Sequence, residues 1–163
     1  MASRTLLRME RPAGVLEPAM TPGISVRRWR RSADHGRIPE VYGSAFGHAP
    51  WPDDWDRFDE FDEGGVFVAE AGGDLVGFAI CFRRAFHGYI SVVAVIPEFR
   101  RRGVASALVG RAVAYLRSVG VSTVRVDAYA DAPAAVAAYR SLGFRVYETV
   151  RDAEADPRGR SEE

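Results

Sequence analysis

The sequence contains a single cysteine, Cys81, which lies inside an apolar run. One thiol cannot form an intramolecular disulfide, and it cannot supply a cluster of metal-binding thiolates. A chain without disulfides fits a reducing compartment, so we expect a cytoplasmic protein. Histidine is also scarce, and no residues have the spacing of metal ligands, so we expect no metal.

An excess of one charge is also missing. The 22 Lys and Arg residues are balanced by 22 Asp and Glu residues. Nucleic-acid-binding domains are usually strongly basic, so the sequence predicts no nucleic-acid partner, despite the arginines at 27–31 and 100–102. No apolar run approaches the roughly 18 residues that span a membrane, so we expect no membrane partner.

The chain has no internal repeats, and its 163 residues suit one domain. Prolines and glycines interrupt residues 1–23, which predicts a flexible N-terminal arm. Residues 24–150 are predicted to form the folded domain. Residues 151–163 are charged and lack large apolar side chains, which predicts a loose polar tail.

Within the domain, hydrophobic periodicity and turn residues predict the secondary structure. The predicted strands are 24–30, 66–71, 75–82, 89–96, 122–129 and 144–150. The turn Gly72-Gly73-Asp74 predicts a hairpin between the second and the third of them. The predicted helices are 32–46, capped by Ser32, a short one within 48–65, 103–119, and one that is capped by Asp131 and ends at Gly143. A helical crossover makes strands 91–96 and 122–129 parallel if they are neighbours, whereas the hairpins are antiparallel. The fold class is therefore mixed α/β, with a sheet flanked by helices.

The most informative stretch is 91–111. An apolar strand ends at Pro97, a basic turn follows at Arg100, Arg101, Arg102 and Gly103, and a helix then begins. A helix N-terminus carries free N–H groups and a partial positive charge, so this turn is a candidate anion site. A basic turn that only caps the helix is the alternative. The turn is not a nucleotide P-loop, because the Gly-Lys-Ser/Thr ending is missing. It is not a dinucleotide fingerprint, because it has one glycine where three are required.

The spacing Arg100-x-x-Gly103-x-Ala105 resembles the pyrophosphate-binding motif of the GNAT superfamily of acyl-CoA-dependent N-acetyltransferases. A second stretch, Tyr139-x-x-x-Gly143-Phe144, is similar to another motif of that family. The resemblance implies a central mixed, mostly antiparallel sheet of six to seven strands, about four helices and a splayed parallel strand pair. It also implies that acetyl-CoA is the co-substrate.

The resemblance assigns cofactor contacts mostly to the main chain. The implied acetyl-CoA-binding residues are Val93, Ala94, Val95, Arg100, Arg101, Arg102, Gly103, Val104, Ala105, Ser106, Ala132 and Tyr139. One position departs from the family, which often has an asparagine where this chain has Ala132. Any contact made by that amide is missing or replaced.

For the chemistry, the resemblance places Tyr139 where the family has its proposed general acid. Asp127 is the first candidate for a general base, because the resemblance implies that some relatives carry a glutamate facing the acceptor on this strand. The alternation of the strand puts Arg125, Asp127 and Tyr129 on one face. The structural alternative for Tyr139 is packing in the core, and that for Asp127 is a surface ion pair with Arg125. Tyr89 and His87 are weaker candidates for the base, and deprotonation through water stays open.

The acceptor is predicted less sharply. Residues 48–65 combine an aromatic stripe with acidic residues, which favours either a helix packed on the sheet or a lid that binds a cationic amine. In the second case Trp51 and Trp55 would contact the acceptor, and Tyr89 and Asp127 are predicted to contact it from the sheet. The acceptor would be a small-molecule amine, a peptide or protein N-terminus, or a lysine. A non-catalytic acyl-CoA sensor or interaction module remains the alternative function. Strand 144–150 could pair two copies into a dimer.

Overall fold

A computed structural model describes residues 3–17, 21–47 and 65–154 of the chain. Its strands are β1 Ser3–Pro12, β2 Ile24–Arg28, β3 Val66–Ala71, β4 Asp74–Arg84, β5 His87–Val95, β6 Thr123–Tyr129 and β7 Arg145–Glu154. Its helices are α1 Arg31–Asp34, α2 Ile38–Phe46, α3 Val104–Ser118 and α4 Pro133–Ser141. The strands form one seven-stranded sheet in the order β2-β3-β4-β5-β6-β1-β7. The predicted mixed fold is confirmed.

The sheet separates two hydrophobic clusters, one on each face. Strand β6 alternates between buried and half-buried residues, and its buried Val124 and Val126 join Leu108 and Leu116 of α3 in the larger cluster. The smaller cluster joins Ile38 and other residues of α2 to the opposite face of β3, β4 and β5. Burial of apolar side chains on both faces therefore fixes the central strands between helices.

Most neighbouring strands are antiparallel, and one pair is parallel. The β3–β4 hairpin turns at Gly72 and Gly73, whose φ angles of +58° and +86° suit the tight turn predicted there. Helix α3 connects β5 to β6, and these two strands run parallel. The sequence order of strands and crossover helix thus produces the predicted mixed sheet.

The predicted flexible N-terminal arm is wrong for residues 3–12. They form β1, which lies inside the sheet between β6 and β7. Leu6 and Met9 are both buried but face opposite sides of the sheet, since they pair with Tyr129 and Val126. The apolar residues therefore show no period of two in the sequence, and the domain begins before residue 24.

Two helix predictions also need correction. The single helix predicted over 32–46 is divided into α1 and α2, because Pro39 lies in the first turn of α2 and suits a helix start rather than an interior. Ser32 lies inside α1 rather than capping it. The loose tail predicted from residue 151 is wrong for residues 151–154, which belong to β7.

Other predictions fall on residues that the structure does not describe. These include residues 48–64, with Trp51 and Trp55, and residues 155–163. Over the described ranges, no helix has both the length and the apolar character needed to cross a membrane.

Candidate active site

The parallel strands β5 and β6 separate from each other along their length. Among the described residues they pair at His87 with Thr123, Gly88 with Val124 and Tyr89 with Arg125. Beyond Tyr89, β5 continues to Val95 beside β4, whereas β6 continues to Tyr129 beside β1. The result is a wedge-shaped opening between the two strands, which we call the cleft.

The backbone of β5 presents hydrogen-bonding groups to this cleft. Ile96 donates its N–H to Val76 at 3.0 Å, and the antiparallel ladder then places Ala94 in direct bonding with β4. The backbone groups of Val93 and Val95 consequently point away from β4. An extended ligand in the cleft could pair with them as an added strand would.

At the wide end of β5, a tight loop leads into α3. A 3₁₀ turn at Pro97–Phe99 is followed by Arg101 and Gly103, whose φ angles are +63° and +80°. The first bond within α3 runs from the N–H of Ala107 to the carbonyl of Gly103 at 3.0 Å. The N–H groups from Gly103 to Ser106 therefore lack an acceptor within the helix, and alternating backbone conformations aim such groups at an anion.

The side chains of this loop mainly hold it in place. Arg100 donates to the carbonyl of Ala45 at 2.6 Å and to that of Val95 at 3.3 Å, so it joins α2 to the end of β5. The guanidinium of Arg102 lies 5.0 Å from the ring centroid of Phe99. Thr21 donates to the carbonyl of Arg102 at 2.5 Å. The loop is basic, and its shape is fixed by contacts from three other parts of the chain.

Tyr139 lies on α4, and its ring joins the larger hydrophobic cluster. The ring packs edge-on against Phe144, with centroids 5.8 Å apart. Burial and the negative charge of Asp127 raise the pKa of Tyr139 to about 12. The phenol therefore keeps its proton at neutral pH and can serve as a hydrogen-bond donor.

Asp127 lies on the face of β6 opposite α3. That face continues across β1, where Arg8 pairs with Asp127 in register and Glu10 pairs with Arg125. The guanidinium of Arg125 contacts Glu10 and the hydroxyl of Tyr89, each at 3.4 Å. We call this mixed-charge surface the polar face, and it borders the cleft.

Among the described residues, the predicted site residues lie on β5, on β6, in the loop before α3 and the first turn of α3, and at the start and on the body of α4. Val93 and Val95 offer backbone groups to the cleft, but those of Ala94 serve the ladder with β4. The predicted cap at Asp131 is wrong, because Ala132 is the N-cap of α4 and Asp131 instead binds Arg4. His87 lies at the start of β5, where the strands still pair.

Three residues near the site were missed by the sequence reasoning. Thr21 contacts the loop before α3, and Arg4 and Arg11 contact the two ends of α4. All three lie in the segment that the sequence suggested to be a flexible arm. The only available signal was a set of arginines without an assigned role.

Comparison with known proteins identifies the family. The sequence pattern of the Acetyltransferase (GNAT) family matches residues 28–144. The chain belongs to this family of acetyltransferases. It is 34% identical over 162 residues to a mycothiol acetyltransferase of Streptomyces bingchenggensis, covering 90% of this chain and 53% of the relative. A mycothiol acetyltransferase of Tsukamurella paurometabola is 32% identical over 166 residues, covering 89% and 57%. The chain thus spans about half the length of these relatives.

Solved structures support the same fold. A GCN5-related N-acetyltransferase from Sphaerobacter thermophilus superposes with a TM-score of 0.79 at 24% identity, covering 91% of this chain and 50% of that one. The ribosomal-protein-S18-alanine N-acetyltransferase of Escherichia coli gives a TM-score of 0.65 at 19% identity, covering 82% and 97%. At these identities the likeness concerns the fold alone.

Proposed function

We propose that the chain is an N-acetyltransferase that moves an acetyl group from acetyl-CoA directly to a primary amine. The observation that carries the proposal is the continuity of the site. A loop with free N–H groups, a cleft edged by backbone donors and acceptors, and a half-buried phenol follow one another within the family's fold. Backbone groups of this kind suit the diphosphate and the amide-rich arm of CoA.

The N–H groups from Arg101 to Ser106 would hold the diphosphate of acetyl-CoA. Their alignment at the start of a 15-residue helix favours negative charge, and the first turn of α3 contains no acidic residue. Val93 and Val95 would pair with the extended pantetheine arm. Acetyl-CoA supplies the activated thioester, and a backbone N–H of β5 would stabilise the charge that develops on its carbonyl oxygen.

Asp127 and Tyr139 would divide the proton transfers. Asp127 would accept a proton from the acceptor amine, and Tyr139 would donate a hydrogen bond to the leaving sulfur. A phenol with a pKa of about 12 is a weaker acid than a thiol, whose ordinary pKa is about 8.5. Tyr139 would therefore stabilise the leaving thiolate by donating a hydrogen bond before any proton is transferred. The buried Cys81 is 1% exposed, which argues against a cysteinyl intermediate.

The acceptor would approach from the polar face. Arg8 and Arg125 mix there with Glu10, Asp127 and Glu148, so the surface suits a small polar amine better than an apolar one. The relatives that are named mycothiol acetyltransferases support a small-molecule acceptor. The proposed contacts of Trp51 and Trp55 with the acceptor stay a prediction.

The test is a measurement of acetyl-CoA binding by calorimetry, combined with CoA thiol release across a panel of amines. The panel includes mycothiol-related amines, amino sugars, α-amino acid amides and peptides. Binding with amine-dependent thiol release supports the proposal. Binding without release on any amine overturns it in favour of an acyl-CoA sensor, and absence of binding overturns both functions.

A further inference from the structure

Strand β1 carries two arginines that contact opposite ends of helix α4. Arg4 reaches the turn before the helix, and Arg11 reaches the turn after it. Helix α4 carries Tyr139, so both contacts bear on the position of a residue that we place in the chemistry. The inference below rests on the proposed function for this role of Tyr139.

At the start of α4, the guanidinium group of Arg4 donates two hydrogen bonds to the carboxylate of Asp131. Nε lies 3.0 Å from Oδ2 and Nη2 lies 2.6 Å from Oδ1. The same guanidinium lies 3.6 Å from the ring centroid of Tyr129, the last residue of β6. The N–H of Ala130 also donates to the carbonyl of Thr5 at 2.9 Å. A bidentate ion pair combined with stacking on a ring restricts the relative position of Arg4 and Asp131 in more directions than a single hydrogen bond does.

At the end of α4, Arg11 binds the main chain. Its Nη1 donates to the carbonyl of Leu142 at 2.5 Å, while its Nε donates to the carbonyl of Pro12 at 2.9 Å. The N–H groups of Leu142 and Phe144 both donate to the carbonyl of Tyr139, at 3.1 Å. Arg11 therefore holds the turn that closes directly on Tyr139.

Helix α4 depends on these end contacts more than α3 does. Seven residues of α3 are buried, among them Leu108 and Leu116, whereas none of the nine residues of α4 reaches that degree of burial. The N-cap of α4 is Ala132, whose methyl group cannot accept a hydrogen bond. By contrast, β1 is paired on both edges, and its Met9 is fully buried. A rigid strand thus holds a helix that has little core packing of its own.

We propose that Arg4 and Arg11 are positioning residues, which hold α4, and with it Tyr139, in the position that the proposed chemistry requires. They touch neither the acceptor nor the reacting atoms in this assignment. Misplacement of a catalytic group by about 1 Å can cost as much as a hundredfold in rate. We therefore expect Arg4→Gln and Arg11→Gln each to lower kcat about tenfold.

The decisive measurement is a double-mutant cycle with Tyr139→Phe. If the arginines act through the phenol, Arg4→Gln and Arg11→Gln should lower kcat less than twofold in the Tyr139→Phe background. A full tenfold loss in that background would overturn the proposal, and so would a wild-type kcat in both single variants. Arg4→Lys should recover part of the lost kcat, because lysine keeps the positive charge but cannot form the bidentate contact with Asp131.

A second measurement is independent of activity. Hydrogen–deuterium exchange of the α4 amides should accelerate at least severalfold in both variants, while circular dichroism and the unfolding midpoint stay near wild type. The matched control is Arg83→Gln, since Arg83 donates to the carbonyl of Val119 at 2.8 Å beyond the end of α3. It should leave exchange in α4 and kcat unchanged.

Unchanged α4 exchange in the Arg4 and Arg11 variants would refute the positioning role even if the protein catalyses no reaction. Conversely, faster α4 exchange in the two variants, together with a wild-type chain that releases no CoA thiol, would support the structural contacts while refuting the proposed function. The two ideas can therefore fail separately.

Discussion

Gly103 offers the sharpest test of the loop before α3, because one added methyl group should affect both stability and acetyl-CoA binding. Its φ angle is +80°, a conformation that costs an L-residue about 1–2 kcal/mol. A Cβ at this position would also lie 2.7 Å from Oγ1 of Thr21. Thr21 would have to rotate and release its hydrogen bond to the carbonyl of Arg102.

The two costs can be added. Loss of this exposed hydrogen bond costs about 0.5–1.5 kcal/mol, so Gly103→Ala should lower the free energy of unfolding by about 1.5–3.5 kcal/mol. In a Thr21→Ala background the hydroxyl is already absent. The same substitution should then cost only the backbone strain of about 1–2 kcal/mol. Gly73→Ala is the matched control, since Gly73 has a φ angle of +86° and no atom within 4 Å of an added Cβ.

The assay is urea unfolding of the four variants of the Gly103 and Thr21 cycle, followed by calorimetric titration with acetyl-CoA. Gly103→Ala should also weaken acetyl-CoA binding about tenfold, because the strained loop turns its N–H groups away from the diphosphate. Gly73→Ala should lower stability and leave the acetyl-CoA affinity unchanged. The reasoning is refuted if Gly103→Ala costs no more than Gly73→Ala in stability, or if it leaves the acetyl-CoA affinity unchanged.

Three further predictions follow from the site and its frame. Tyr139→Phe should lower kcat roughly a hundredfold with little change in KM for acetyl-CoA, measured by thiol release, and an unchanged kcat would remove Tyr139 from the chemistry. Asp127→Asn should reduce kcat/KM for the amine by at least tenfold at neutral pH; full activity would favour deprotonation through water. Asp34→Asn should lower the free energy of unfolding at pH 7 by about 2–4 kcal/mol, because Asp34 is fully buried and paired with Arg27 at 2.7 Å. Hydrogen bonds from Arg27 lower the pKa of Asp34, so this stabilisation is present above about pH 4 and is lost as the pH falls through the lowered pKa. Urea unfolding in acid should therefore show a smaller gap between wild type and Asp34→Asn, and a constant gap would contradict the assignment.

The part of the site that the sequence predicted is the part encoded locally. The strand before Pro97, the turn at Gly103 and the helix after it follow one another in the chain, so periodicity and turn residues were enough to find them. The Gly72-Gly73 hairpin was predictable for the same reason. These features depend on neighbours within a few residues.

The features that were missed depend on pairing across the whole chain. Arg4 meets Asp131 only because β1 inserts between β6 and β7, and that insertion leaves no period in the sequence. The same insertion redirected Asp131 from the expected capping role to an ion pair. The division between α1 and α2 was predictable in part. Pro39 indicates it locally, whereas the ion pair between Arg27 and Asp34 depends on the fold.

In the proposed reaction, the relation between Asp127 and Tyr139 would give the site a direction of proton movement. In the free protein, burial and the charge of Asp127 keep the pKa of Tyr139 high. If Asp127 takes the proton of the acceptor amine, its charge disappears and its share of that shift disappears with it. The phenol then becomes a stronger acid while negative charge collects on the leaving sulfur. The proposed base would thus activate the proposed acid through the loss of its charge. Asp127→Asn should accordingly lower the pKa of Tyr139 from about 12, which ultraviolet titration of the phenolate would detect against the Tyr139→Phe background. An unchanged titration would show that burial alone sets this pKa, and the two groups would then act independently.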